Sequence, residues 1–363
     1  MSNDMEESKN SIDIKKLLKS VLHFNSSDLH LVPGSEPQIR IDKALRPLNL
    51  PILSGKDIET MAYSLLEDKQ KKIFEEHNEL DFSFELDDVG RFRANYYKTI
   101  SGIACAFRII PIEIPPLEKF NNNPIFKELV KKEKGLILVT GPTGSGKSTT
   151  LASMLHEINL YQSKHIITIE DPVEFVHTNI KSLFSQREVG SCTDSFALAL
   201  KYALRQDPDV ILIGEMRDKE TISAAITAAE TGHIVFGTLH TNSAPSTINR
   251  IIDVFDAGEQ PQIRAQLASS LVSVISQSLM PRISGGVVAT QEVMITNPAI
   301  QNLIREDKVH QIYSQMQLNQ KETGMTTQSD QLLSLIQKKV ISKDIAIASS
   351  NRPEELMKTL ANL

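Results

Sequence analysis

Gly135-Leu-Ile-Leu-Val-Thr-Gly-Pro-Thr-Gly-Ser-Gly-Lys-Ser-Thr149 is the stretch from which the fold can be read. Residues 136–140 are almost wholly apolar or β-branched, as in a strand buried on both faces. Gly141, Pro142, Thr143, Gly144, Ser145, Gly146, Lys147 and Ser148 then fit G-x-x-x-x-G-K-[ST], with Thr149 opening a helical pattern that puts Leu151, Leu155 and Ile158 on one face. Strand, glycine-rich turn and helix in that order build an anion site. Glycines let backbone N–H groups close around phosphate oxygens, and the helix N-terminus adds a favourable dipole. In such a site Lys147 reaches the β and γ phosphates of ATP, and Ser148 ligates Mg2+.

Working outward, residues 166–169, 210–213 and 234–239 are further apolar runs separated by helical patterns. That rhythm predicts an α/β domain, a parallel sheet flanked by helices. In Asp209-Val-Ile-Leu-Ile-Gly-Glu215 a buried strand delivers Glu215 to the end of the sheet where ligands bind, placed to hold magnesium through water or to polarise an attacking water. Glu170-Asp171-Pro172-Val173-Glu174 follows another strand, and three carboxylates so close repel one another unless a cation or a water network uses them. Spacing alone does not say which of them is a general base, and a solvated acidic turn fits the same residues. His233 and His240 bracket residues 234–239; a strand-end histidine is more often structural than catalytic.

At 363 residues the chain is long for one core, so two domains are expected, the first a smaller α+β domain. With 40% hydrophobic and 23% charged residues it reads as a soluble protein, and no apolar run approaches the roughly 18 residues of a membrane span. The polar, acidic start carries no secretory signal, which points to the cytosol and to a disordered tail over residues 1–11. Cys105 and Cys192 are far apart and make neither a disulfide framework nor a metal site. A formal charge of −6 and the lack of tryptophan weigh against nucleic acid as a partner.

Before the loop, residues 12–24 have apolar positions at helical spacing, and residues 27–48 read as short strands joined by turns. Ser54 caps a further helix with Asp57 three residues on, its pattern fading near His77. Residues 91–97 alternate cleanly, Phe92, Ala94 and Tyr96 facing one way and Arg91, Arg93 and Asn95 the other. The organisation expected is a first domain over 12–110, a proline-bearing linker over 111–124 and the α/β domain over 125–363. From Pro261 onward helical periodicity dominates, with one strand-like interruption at residues 286–295.

With these residues in view, residues 135–240 resemble the secretion and pilus motor ATPases, most closely the PilT-type type IV pilus retraction ATPases, and the resemblance extends over nearly the whole chain. It is carried by the Walker A loop at 141–149, by Ile-Glu-Asp-Pro-Val-Glu-Phe-Val-His at 169–177, by Ile-Gly-Glu-Met-Arg-Asp at 213–218, and by Thr-Gly-His-Ile-Val-Phe-Gly-Thr-Leu-His-Thr at 231–241. The resemblance implies a RecA-like ATPase domain with a C-terminal helical subdomain and a PAS-like first domain. It makes Glu174 the catalytic glutamate, Glu215 the magnesium partner, and His233 and His240 couplers of the γ-phosphate to ring geometry. Arg91, Arg93 and Arg108 become the arginines that reach a nucleotide from the N-terminal side. It further implies a homo-hexamer at the inner membrane, held there by a pilus platform protein, with a second retraction ATPase as a possible companion.

Assembly ATPases share this core but usually insert a tetracysteine zinc element, which two isolated cysteines do not build. Ala-Ile-Gln-Asn-Leu-Ile-Arg-Glu-Asp-Lys at 299–308 resembles the retraction motif A-I-R-N-L-I-R-E, with Gln301 for its first arginine and Asp307 for a following glycine. These departures keep a PilU-like accessory subunit as the alternative. A silent nucleotide sensor and a nucleic-acid translocase are the readings from other classes.

Overall fold

The computed structural model describes residues 12–361 apart from 25, 42–43, 88, 112, 121–122 and 319, so the tail expected at residues 1–11 lies outside the described residues. The chain divides into two compact units, Met1–Ile112 and Glu113–Leu363.

In the first unit α1 (Ile14–His23) starts where the Asp13 carboxylate accepts the Lys15 N–H at 2.9 Å. Its Leu17, Leu18 and Val21 are buried on the sheet. Ser54 and Asp57 form the reciprocal capping box of α2 (Gly55–Tyr63). The single helix expected there is in fact two: Ser64 ends the first, and Glu67 and Gln70 build a second capping box that opens α3 (Asp68–His77). The strands are β1 (Asp28–Leu31), β2 (Gln38–Ile41), β3 (Ala44–Pro47), β4 (Glu79–Leu86), β5 (Gly90–Thr99) and β6 (Gly102–Ile110). They pair antiparallel in the order β3-β2-β1-β6-β5-β4. Alternation sorts the sheet: Phe92, Ala94, Tyr96 and Phe107 are fully buried on its core face, leaving Arg91, Arg93 and Arg108 on the other.

The second unit holds the parallel sheet. Two short helices, α4 (Leu117–Phe120) and α5 (Ile125–Leu129), precede β7 (Gly135–Thr140) and α6 (Lys147–Tyr161). β8 (His165–Glu170), β9 (Leu183–Glu188), α7 (Phe196–Ala203), β10 (Val210–Ile213), α8 (Lys219–Glu230), β11 (Ile234–Leu239), α9 (Ala244–Ile252) and α10 (Gln260–Ser270) follow. Next come β12 (Leu271–Pro281), β13 (Val287–Ile295) and the helices α11 (Pro298–Arg305), α12 (Ile312–Met316), α13 (Gln320–Thr323), α14 (Gln328–Gln337), α15 (Lys343–Ser349) and α16 (Pro353–Ala361). The sheet order is β13-β12-β7-β11-β10-β8-β9, parallel except for the β12–β13 hairpin. Every residue of β7, β10 and β11 is buried, as a sheet covered on both faces requires.

Two further features were not foreseen. The region after Pro261, read as helical up to residue 286, contains the eleven-residue strand β12, paired with β7 on one side and β13 on the other. The proline-bearing stretch contains α4, whose Leu117 is 2% exposed and packs into the same cluster as Leu151, Leu155 and Ile158 of α6. Pro115 accepts the Ser153 hydroxyl at 2.6 Å, so this stretch lies along α6.

Candidate active site

Because β7, β8, β10 and β11 are parallel, their carboxyl ends open on one edge of the sheet, and each carries a segment singled out above. Thr140 pairs with Leu239 and Ile213 with Gly237, which sets Gly141, Glu215 and His240 side by side. Gly214 donates to the Ile169 carbonyl at 2.8 Å and Met216 to the Thr238 carbonyl at 3.0 Å, seating Glu215 between the ends of β8 and β11.

The loop itself is built from backbone constraints. Gly141 has φ +143°, and a Cβ there would lie 2.1 Å from the Gln277 carbonyl, so no side chain fits. Pro142, Thr143 and Gly144 are exposed, and Gly146 caps α6, whose first residues are Lys147, Ser148 and Thr149. Lys147 is buried, its ammonium donating to the carbonyls of Gly141 at 2.9 Å and Pro142 at 3.2 Å. Burial pulls its pKa down, and the nearby Glu215 carboxylate opposes that shift. The Ser145 hydroxyl is buried inside the loop without a hydrogen-bond partner. An exposed glycine-rich rim, a helix N-terminus, a lysine and an unpaired hydroxyl fit a phosphate chain.

Glu215 accepts from Arg217 at 2.6 Å and sits 3.0 Å from His240 Nε2. Burial raises its pKa, but the Arg217 hydrogen bond and the charges of His240, Arg217 and Lys147 outweigh it, so the carboxyl is held ionised below its usual range. An ionised oxygen donor at the sheet edge where α6 begins with Lys147 and Ser148 fits a divalent cation.

The acidic segment separates into unlike groups. Glu170 is buried, and burial pushes its pKa up to about 7 against hydrogen bonds from Gln186 and the Glu174 N–H. Glu174 is exposed, on the same turn. The loop beyond it hangs on Asn159 of α6, which donates to the Thr178 carbonyl at 2.7 Å and accepts from Ile180 at 3.0 Å and Ser182 at 3.2 Å. Asn159 had no motif to mark it; its only sequence signal was a polar residue at an apolar position of α6.

His233 is not part of this constellation. It lies at the amino end of β11, its Nδ1 3.0 Å from the Ala228 carbonyl, while His240 follows the carboxyl end. At roughly 3.3 Å per residue the two histidines are about 20 Å apart, so within one chain only His240 meets the nucleotide edge. The arginines occupy the polar face of the first unit: Arg93 pairs with Asp81 at 2.6 Å, Arg108 with Asp28 at 2.7 Å, and Arg91 donates to Ser83 at 2.7 Å.

Helix α11 keeps Ile300 and Ile304 buried, with Leu303 packed beside them. Asp307 stands just past its end with φ +58°, the left-handed position that ends many helices and usually takes glycine. Its carboxylate pairs with Arg264 of α10 at 2.9 Å, which explains how aspartate is accommodated where the retraction motif has glycine.

A nucleotide loop beside an ionised carboxylate at the mouth of a parallel sheet makes this chain a phosphate-loop ATPase. It belongs to the Type II/IV secretion system protein family, whose model matches residues 4–342. It is 50% identical to the type IV pilus retraction ATPase PilT of Pseudomonas aeruginosa over 343 residues, 94% of this chain and 99% of that protein. To the type IV pilus ATPase PilU of the same organism it is 35% identical over 346 residues, 95% of this chain and 90% of the other. A crystal structure of the pilus retraction motor PilT with bound ADP superposes with a TM-score of 0.91 at 47% identity, covering 96% of this chain and 99% of that one. Among the described residues no helix is long and apolar enough to cross a membrane.

Proposed function

We propose that this chain is the ATP-hydrolysing motor subunit of type IV pilus retraction. The observation that carries this reading is the near-full-length, 50% identity to PilT, supported by a sheet edge that gathers the loop at Gly141, the acidic turn after β8, Glu215 and His240. In this reading Lys147 and the amides of residues 141–149 hold the phosphates, and Ser148 and Glu215 hold Mg2+. The cation, when bound, neutralises charge on the phosphate chain. Glu174 orients and deprotonates the attacking water: it is exposed, whereas Glu170 is buried and half protonated near neutrality. His240 senses the phosphates through Glu215.

Subunits assemble as a homo-hexameric ring at the inner membrane, on a pilus platform protein, and Arg91, Arg93 and Arg108 complete a nucleotide site once freed from their carboxylate and hydroxyl partners. An arginine supplied to a phosphoryl transition state is worth about 10³–10⁵ in rate, enough to make hydrolysis depend on assembly. A PilU-like accessory role is the second reading, favoured by Gln301 in place of the motif arginine.

Phosphate release by size-fractionated protein with magnesium and ATP tests the proposal, wild type beside Glu174→Gln and Lys147→Ala, together with pilus retraction in cells lacking the gene. Turnover confined to a large oligomer and lost in both variants, with non-retracting pili in the deletion, is the expected result. Normal retraction without the gene rejects the proposal, and an oligomer with no turnover of its own assigns the accessory role.

A further inference from the structure

The loop has a partner that none of the nucleotide motifs contains. On β12 Ser276 pairs with Thr140 of β7, their hydroxyls 2.7 Å apart, which brings the next residue, Gln277, level with Gly141. Gln277 is 4% exposed and its amide is turned into the loop. Nε2 donates to the Ser145 carbonyl at 2.6 Å. Oε1 accepts from the Thr150 hydroxyl of α6 at 2.8 Å and from Gln291 Nε2, on the paired position of β13, at 2.9 Å. The Gln277 backbone carbonyl leaves no room for a Cβ at Gly141, and its Nε2 lies within 2.8 Å of where a Cβ on Gly146 would stand, so both ends of Gln277 are close against the loop.

A trans peptide unit carries its C=O and N–H on opposite sides. Drawing the Ser145 carbonyl toward Gln277 therefore turns the Gly146 N–H away from it and leaves that group as a donor for an anion. A loop with glycines at 141, 144 and 146 has wide conformational freedom, and without an anchor it presents its amides only at an entropic cost. The Ser145 carbonyl can only accept, so it fixes Nε2 as the end of the Gln277 amide that faces the loop, and the Thr150 and Gln291 donors satisfy Oε1. We propose that Gln277 is a positioning residue for nucleotide phosphates, holding the Ser145–Gly146 peptide so that the loop is set to receive them. This rests on the reading of residues 141–149 as the nucleotide site.

The test is ADP affinity of the full-length chain with magnesium, measured for wild type, Gln277→Glu, Thr150→Val and Lys147→Ala, with thermal melting as the check on folding. Glutamate has the shape of glutamine but, when ionised, no donor for the Ser145 carbonyl; when protonated, its hydroxyl restores one. Gln277→Glu is expected to bind ADP about 10- to 100-fold more weakly than wild type at about pH 8. Relative to wild type it should regain most of that loss by about pH 6, because burial raises a carboxyl pKa. A role in packing alone predicts no such recovery. A folded Gln277→Glu that binds like wild type at pH 8, or whose deficit does not shrink at lower pH, overturns the proposal. Should Gln277→Glu fail to fold, Thr150→Val decides, an affinity loss of about 3- to 10-fold being expected and wild-type affinity counting against the proposal. Wild-type affinity in Lys147→Ala would instead remove the nucleotide assignment of the loop.

Discussion

His240 Nε2 and Glu215 Oε1 lie 3.0 Å apart at the ends of neighbouring parallel strands, so the residue after β11 and the acid after β10 form one polar unit. Groups that act through each other lose their contributions together. Glu215→Gln is expected to lower kcat by about 10²- to 10⁴-fold, and His240→Ala by about 10- to 100-fold. The double variant should be scarcely worse than Glu215→Gln alone. A phosphate-release double-mutant cycle measures this, and strictly multiplicative losses would show that the two residues act independently.

Burial raises the Glu170 carboxyl from 4.5 to about 7. Below 4.5 both folded and unfolded chains hold the proton. As pH rises from there the unfolded chain releases it first, so folding stability falls and levels off above about 7, by about 3 kcal/mol in all. Glu170→Gln should remove this slope and raise the melting midpoint at pH 8 by roughly 5–10 °C relative to wild type, with no gain below pH 4.5. Equal slopes from pH 5 to pH 8 would mean that Glu170 titrates normally in the folded protein.

Leu117 sits 2% exposed among the side chains under α6. Its truncation leaves a cavity in that layer, and Leu117→Ala is expected to cost about 2–4 kcal/mol in chemical denaturation. A change below about 0.5 kcal/mol would show that residues 113–120 contribute little to folding, as a surface substitution does.

Asp307 combines a left-handed backbone with an ion pair to the largely covered Arg264. Asp307→Gly loses the pair but relieves the backbone, each effect about 1 kcal/mol or less, so the melting temperature should move by no more than roughly 3 °C. Asp307→Val has no such relief and should destabilise by about 1–2 kcal/mol. Thermal melting of both variants checks the pair.

Much of the nucleotide edge was legible because its chemistry is local. Gly141, Gly144, Gly146 and Lys147 are needed at fixed offsets by the backbone of one loop, and the runs at Val210–Ile213 and Ile234–Leu239 are too apolar to be anything but buried strands. β12 escaped because Leu267, Leu271, Val274 and Ile275 continue the apolar spacing of α10, while buried Ser273, Ser276 and Gln277 spoil a strand's alternation. Those polar residues are inside because they bond to Met294, Thr140 and Ser145, partners distant in sequence. His233 and His240 stand at opposite ends of the six-residue β11, as their bracketing of residues 234–239 implied, so only His240 lies at the nucleotide edge of its own chain. The split between α2 and α3 was missed because Glu67 is not a usual capping residue, though Gln70 completes its box.

The β12–β13 hairpin runs beyond the sheet, and its Met280 and Val288 pack with Leu332, Ile341, Ala346 and Leu356 of the C-terminal segments. The same pleated ribbon that abuts the phosphate loop at Gln277 is thus the stem on which those helices are mounted. From Gln277, which bonds to the loop, to Met280, which packs under those helices, is three residues of continuous strand, so the phosphate loop and the C-terminal helices share one piece of backbone.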